Sequence, residues 1–376
     1  MIESVVAERC GRLDNGRQMG GAGIGIGIGG WGPSERLTIT ACSTLGNGTN
    51  GIFVELQKDY WRPPRGIRIV ACHAEGNRFG ISDWGADGLI VSACTMLGNQ
   101  IAGFDVSTHG TAGVPGRGGI VTDCVLDGNV NSGVSFGSAS GPYLVRGNRI
   151  SGNGRYGVLV HELPRGAGET IQDLVLDGNE IWGNGLTGVQ IDTGAADLTV
   201  VGNRIRSNGR LAGPGGSGAG ADVRYGALSM TDKSADWPAG CHFGKQLVVK
   251  GLTATVMTND HSTLSLMPVR AGLNTAWHGD VPTDGSPYEL VGPPEHRAGL
   301  TIAARATGLT MRNNRIWDGM SPKTQTEGVW VTDQGECLDA AVEDNDLAGN
   351  RDAALRLDTP AVGGRWERNH GSAEEP

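Results

Sequence analysis

No apolar run in the chain approaches the roughly 18 residues of a membrane span. The opening MIESVVAERCGRLDNG is too polar for a signal peptide, so neither a membrane segment nor an export leader is expected. Positive charge is also in short supply. Lys+Arg number 31 against 40 Asp+Glu, for a net charge of -9. A nucleic-acid or anionic-membrane binder would carry a basic surface, so neither partner is expected. No C-x-x-C occurs and the seven cysteines are an odd number, which leaves out a metal-ligand spacing and leaves at least one thiol unpaired. The glycines keep no three-residue period, so collagen is excluded, and 38% hydrophobic residues argue against disorder.

What the chain has instead is glycine, 64 in 376 residues, more than twice the roughly 7% of an average protein. It also has a repeat. Cys10, Cys42, Cys72, Cys94 and Cys124 recur at intervals of 32, 30, 22 and 30 residues, in segments such as ACSTLGN, ACHAEGN, ACTMLGN and DCVLDGN. Each is preceded by an alternating apolar run (LTIT, IRIV, LIVS) and followed by a second one (GIFVE, GISDW, GFDVS). In later segments Asn148, Asn179, Asn203, Asn314, Asn345 and Asn369 take the cysteine place. A second ladder runs Asn15, Asn47, Asn77, Asn99, Asn129, Asn153, Asn184, Asn208 and Asn350. The shortest units are 22 to 24 residues. Two or three short strands per unit, with no helical spacing, predict an all-β parallel β-helix. Glycine and asparagine supply the bends, the asparagines bond along their ladder, and the cysteines fill the equivalent place as small buried hydrophobes.

On these motifs the chain resembles the right-handed parallel β-helix superfamily of pectate lyases, polysaccharide epimerases and tailspike hydrolases, over roughly residues 2–225 and 299–370. The resemblance implies a right-handed solenoid, in keeping with the general bias of parallel crossovers. The repeat vanishes between Gly226 and about Leu300, where KQLVVKGLTATVMTNDHSTLSLMP alternates around Asn259-Asp260, a hairpin turn. Residues 1–225 are therefore expected to form coils, 226–298 an inserted β-rich excursion, and 299–376 the last coils and a polar tail. The first coil starts at about Ile2 with no amphipathic helix to cover it, and solenoid ends need caps. Either a second subunit in a homo-oligomer or an N-terminal cap domain is expected there.

A packed solenoid interior leaves chemistry to the outer face of a strand ladder and its loops. Counting from the glycine that opens each strand, the second and fourth places face out. They are Phe53/Glu55, Ser82/Trp84, Asp105/Ser107, Ser135/Gly137, Leu159/His161, Gln190/Asp192 and Asp222/Arg224. Asp105, His161, Gln190 and Asp192 thus fall on neighbouring coils, with Glu162 just beyond and His109 on the following loop. Aspartate is disfavoured in strands, which makes this row a candidate site. The loop ELQKDYWRPPR adds Lys58 and Trp61, and THGTAGVPGRGG adds Arg117. Exposed Trp61 or Trp84 suits a sugar ring, and Lys or Arg suits a carboxylate or phosphate.

The run Tyr156-Gly157-Val158-Leu159-Val160-His161-Glu162 is similar to the Y-G-F-D-P-H-E motif of mannuronan C-5 epimerases, and GLTGVQID places Asp192 at that family's next acid. The resemblance implies Tyr156 and His161 as the acid/base pair for C-5 proton exchange. The motif's Asp and Pro are Leu159 and Val160 here, so a central carboxylate is lost, and Asp105 is the candidate to replace it. Three readings stay open. The first is a uronate epimerase or lyase, with His161 and Tyr156 exchanging protons, Arg117 or Lys58 neutralising charge and Asp192 orienting His161. The second is a glycoside hydrolase drawing on Asp105, Asp192 and Glu162. The third is a non-catalytic carbohydrate-binding or structural β-helix. The partner expected in each enzymatic case is a polysaccharide or oligosaccharide. No cofactor is implied; carboxylates at Asp83 and Asp87 could hold calcium, but D-W-G-A-D is not an EF-hand loop. Free cysteines without a leader point to the cytoplasm, whereas the resembled superfamily is mostly secreted.

Overall fold

The computed structural model describes residues 1–11, 21–27, 34–58, 60–107, 116–163, 168–211, 216–238, 240–242, 244–267, 269, 275–292 and 295–371. Every regular element among them is a strand. A coil is three strands joined by tight corners: Thr38–Thr40, Ser43–Leu45 and Asn50–Glu55, then Arg68–Val70, His73–Glu75 and Phe79–Trp84. Each strand pairs in parallel with its equivalent one coil on, Ile39 with Ile69, Thr44 with Ala74 and Ile52 with Ile81. Stacking produces three parallel sheets of 11, 9 and 10 strands, here called A, B and C in coil order, and a four-stranded one in the later coils. Inward columns such as Ile52, Ile81, Phe104, Val134, Val158 and Val189 are 0% exposed and form one continuous core. Burying a side chain of that size stabilises by roughly 1.5–3 kcal/mol.

The corners explain the repeat. Between sheets A and B the chain turns on one residue in the left-handed region, Ala41, Ala71, Ala93 and Asp123 with φ of 51°, 50°, 53° and 55°. The next residue points inward, and it is the Cys or Asn of the first ladder. Asparagine was expected to make the bend itself; instead its predecessor bends, and Asn spends its side chain on bonding. Cys72 N–H donates to Cys94 Sγ at 3.4 Å, Cys94 N–H to Cys124 Sγ at 3.4 Å, and Cys124 N–H to Asn148 Oδ1 at 2.9 Å. The asparagines then continue, Asn148 Nδ2 donating to Asn179 Oδ1 at 3.0 Å. All seven cysteines are free. Contact with Cys124 pushes the Cys94 thiol up to about 12, and burial does the same for Cys337. Such thiols stay protonated and serve as packing.

Between sheets B and C the second ladder starts at Cys10, whose N–H donates to Asn47 Oδ1 at 2.9 Å. Cys10 therefore belongs here and not to the first ladder, and Asn15 lies outside the described residues. The ladder goes on through Asn153 Nδ2 to Asn184 Oδ1 at 2.9 Å and Asn184 Nδ2 to Asn208 Oδ1 at 2.9 Å. Its next rung is Gln325, whose Oε1 accepts from Asn208 at 2.9 Å and whose Nε2 donates to Asn350 at 2.7 Å.

Two compact units emerge, residues 1–210 with 297–376, and Leu211–His296. The second is a seven-stranded sheet whose pairings are antiparallel. Its hairpin Leu252–Asn259 to Thr263–Leu266 closes around Asp260, whose Oδ1 accepts the N–H groups of Ser262 at 2.8 Å and Thr263 at 2.7 Å. The strand Val223–Tyr225 pairs antiparallel inside this unit. Asp222 and Arg224 therefore do not continue the outward ladder. After Val189–Ile191 the solenoid resumes at Leu300–Ile302, which sets Thr301 beside Gln190.

Candidate functional site

Sheet C carries the outward ladder. Its registers align Phe53, Ser82, Asp105, Ser135, Leu159, Gln190 and Thr301 in one row. A second row holds Glu55 against Trp84 and Gly137 against His161, and Asp192 follows through its N–H bond to Val160 C=O. Solvated side chains were expected here, yet no member of the first row is more than 8% exposed. Neighbouring side chains close over it. A Cβ on Gly137, for instance, would run into Leu163.

Asp105 is 3% exposed and its Oδ2 accepts from Trp84 Nε1 at 2.9 Å and from Ser107 Oγ at 2.8 Å. Burial raises its carboxyl above the usual range, while these bonds and the nearby charges of His161 and Arg78 pull it back. Trp84 is locked edge-on against Phe53 and Phe79, at centroid distances of 4.8 and 6.3 Å. It thus serves as the donor that orients Asp105.

His161 closes the strand Tyr156–His161 and is half-buried. Its Nδ1 lies 3.1 Å from the carbonyl of Glu162. A carbonyl only accepts, so the neutral ring carries its proton on Nδ1 and presents a basic Nε2. Asp192 lies on the adjacent coil, with Gln190 Nε2 donating to its Oδ1 at 2.5 Å. Desolvation raises this carboxyl too, opposed by Gln190 and by the charges of His161 and Arg155. The imidazole therefore acts electrostatically on two acids, the buried Asp105 and the solvent-exposed Asp192, one on each side along the ladder. Tyr156, at the other end of the same strand, is 7% exposed. Its OH accepts from the buried Arg155 at 3.4 Å, and the guanidinium carbon sits 5.5 Å from its ring.

Other expected residues stand apart. Glu162 accepts from Gly168 N–H at 3.1 Å and so fastens its own loop. Lys58 and Trp61 lie together on the loop after Asn50–Glu55, Trp61 N–H donating to Lys58 C=O at 3.1 Å, and Trp61 is half-buried beside an exposed Tyr60. Arg117 is exposed at the end of its loop. His109 lies outside the described residues. Asp105 does not stand in the place of Leu159: two strand spacings, about 10 Å, separate them.

Asp83 belongs to an inward row, aligned with Val54 and Val106, and is 0% exposed. Its oxygens accept from Tyr143 OH at 2.6 Å and from the N–H groups of Ala86 at 2.8 Å and Gly85 at 3.2 Å. Asp87 is exposed, so the two do not converge on a cation. Among the described residues, no three His, Cys, Asp or Glu side chains are grouped to hold a metal ion.

Two cations were not foreseen, Arg78 and Arg155. Each precedes an aromatic and a glycine (R-F-G and R-Y-G) at the corner entering sheet C, and each lies over that aromatic, at 5.7 and 5.5 Å. The repeated Arg-aromatic-Gly is the signal that would have found them.

The family model of the right handed β-helix region matches residues 21–164. No curated protein sequence matches the chain. Among solved structures, a double mutant of the periplasmic alginate epimerase AlgG is similar with a TM-score of 0.53 at 12% identity, over 90% of this chain and 60% of that one. The A-module of mannuronan C-5 epimerase AlgE4 from Azotobacter vinelandii follows with 0.42 at 12% identity, over 89% and 79%. The catalytic unit of an α-1,3-glucanase from Streptomyces thermodiastaticus has 0.35 at 10%, over 97% and 69%. The chain spans about 60% of the length of AlgG. The family model, the likeness to AlgG and the coil geometry make it a right-handed parallel β-helix.

Proposed function

We propose that this protein acts on an acidic polysaccharide, abstracting the C-5 proton of a uronate as an epimerase or lyase. The observation that carries the reading is His161, fixed through Nδ1 with Nε2 presented as a base on the strand that also carries Tyr156, with Arg155 on the corner that enters it. A pyranose lying across the strand would rest on Leu159, with Tyr156 at one side and His161 at the other. One group takes the C-5 proton while the other returns it to the opposite face or protonates the leaving oxygen. Arg155, next to Tyr156, supplies the positive charge that an anion developing at the carboxylate requires. The likeness to the periplasmic alginate epimerase AlgG is in keeping with a polyuronate substrate. Hydrolysis by Asp105 and Asp192 is disfavoured. Their strands are three spacings apart, about 14 Å, whereas paired glycosidase carboxyls lie roughly 5–9.5 Å apart.

The test is incubation with uronate polymers in deuterated water. Deuterium at C-5 without chain cleavage marks epimerisation, and new ultraviolet absorbance marks elimination. New reducing ends without either would overturn the proposal in favour of hydrolysis, and no change on any polyuronate would leave the third, binding, reading.

A further inference from the structure

Sheet B, the face neighbouring the candidate site, carries a patch that the proposed chemistry does not use. On four consecutive rungs one row reads Arg149, Glu180, Arg204, Arg315 and the other Ser151, Trp182, Arg206, Trp317. Arg206 lies between the two indoles, its guanidinium carbon 5.4 Å from the Trp182 ring and 5.9 Å from the Trp317 ring. Arg149 sits 5.3 Å from the Trp182 ring, and Arg315 sits 4.5 Å from the Trp317 ring. Arg210 adds a fifth guanidinium, its Nη1 3.2 Å from where a Cβ at Gly183 would stand.

Carboxylates reach only part of this cluster. Arg315 pairs with Asp346 at 3.2 Å and Arg204 with Glu180 at 4.0 Å. Among the described residues, Arg149, Arg206 and Arg210 pair with no carboxylate. Like charges directly opposite each other destabilise a ladder, and Arg204 stands directly opposite Arg315. In a chain of net charge -9 this is a local excess of one cation type, with no lysine in it. The planar guanidinium is the side chain suited to two-point binding of carboxylates, and the flanking rings hold it in place before any ligand arrives.

We propose that this face of sheet B is a second, non-catalytic binding site for a carboxylated polysaccharide, which runs along the solenoid and meets arginines on three of the four rungs, about 4.8 Å apart from rung to rung. The choice of a polyuronate among polyanions rests on the proposed function. The indoles form the apolar wall on which sugar carbons pack.

The test is affinity electrophoresis through gels containing polyuronate or a neutral glucan, with DNA as competitor, on wild type, the double variant Arg149→Gln/Arg206→Gln, Trp182→Leu and His161→Ala. The arginine variant should retain its melting temperature, lose about tenfold or more in polyuronate affinity, and turn over short oligouronates like wild type. His161→Ala should keep the affinity. Unchanged affinity in the arginine variant, no wild-type retention by polyuronate, or equal displacement by DNA would each overturn the site. Arginine-dependent binding without any turnover would uphold this site and defeat the proposed chemistry; turnover with binding unaltered in the arginine variant would do the reverse.

Discussion

The indole N–H of Trp84 donates to Asp105 Oδ2 at 2.9 Å, from the coil immediately before it. An aromatic that the loops seemed to offer to a sugar is thus engaged in holding a buried acid. Trp84→Phe keeps a ring against Phe53 and Phe79 and removes only the donor. That bond lowers the pKa of Asp105 against the larger effect of burial, so its loss raises the carboxyl further. If catalysis needs Asp105 ionised, the acid limb of kcat/KM moves to higher pH. Turnover at neutral pH should fall about tenfold, in line with losing a hydrogen bond to a charged group. An identical pH profile would remove Asp105 from the proton traffic.

Asp83 offers a prediction that is independent of function. Burial raises its carboxyl from 3.8 to about 7, against the bonds from Tyr143, Ala86 and Gly85. Between those values the folded chain holds a proton that the unfolded chain has released. Stability contributed by this group is therefore full below about pH 4, falls as pH rises, and is lost above about pH 7. Three units at about 1.4 kcal/mol each put the swing on the order of 4 kcal/mol. Urea unfolding of wild type and Asp83→Asn at pH 5 and pH 8 should show the wild-type advantage shrinking with pH. A constant difference would mean that Asp83 is ionised throughout. Tyr143→Phe removes the donor that favours the ionised form and should move the loss to higher pH.

The coils were legible because their corners leave a chemical trace. A left-handed residue followed by an inward Asn or Cys recurs wherever the chain turns, and the outward rows follow by counting from the next glycine. Counting failed where the trace was interrupted. Asp222 and Arg224 were placed on the ladder because a glycine precedes them, although their strand belongs to an antiparallel sheet. Gln325 was passed over because its longer amide fills an Asn rung after the 211–296 excursion. Asp105, His161 and Asp192 were found because alternation fixes direction. Their unequal exposure was not legible: Asp105 is buried, His161 half-buried and Asp192 exposed, and that depends on contacts such as Trp84 on Asp105, which have no period. Arg78 and Arg155 were missed because they sit on the corner, outside the alternating count.

The second ladder should be the mechanical weak point of the solenoid. Asn184 Oδ1 accepts from both the backbone N–H and the side chain of Asn153, at 3.1 and 2.9 Å, and Asn184 Nδ2 donates to Asn208. Asn184→Leu strands those donors in a buried corner, at a cost of roughly 1–3 kcal/mol. Asn184→Gln should recover part of the loss, since Gln325 fills the same kind of rung. Thermal melts of the three proteins decide it. Equal melting temperatures would show that the ladder follows from the coil rather than holding it.

Activity and stability should separate at the outward acids and histidine. His161 is half-buried at a strand end, and the hydrogen bond of its ring, to the carbonyl of Glu162, is local. Removing it empties no part of the core, so His161→Ala should melt within a few degrees of wild type. If Nε2 is the base, the same change should cost about 10²–10⁴-fold in turnover. Asp192→Asn tests the neighbour differently. The amide keeps the size and loses the charge that faces the imidazole. If that charge orients the ring, Asp192→Asn should lower kcat while its melting temperature stays near that of wild type. A turnover loss in His161→Ala together with an unchanged kcat in Asp192→Asn would keep the base and dismiss the orienting acid. Full activity in His161→Ala on a substrate that wild type turns over would shift the search to the loop carrying Lys58 and Trp61.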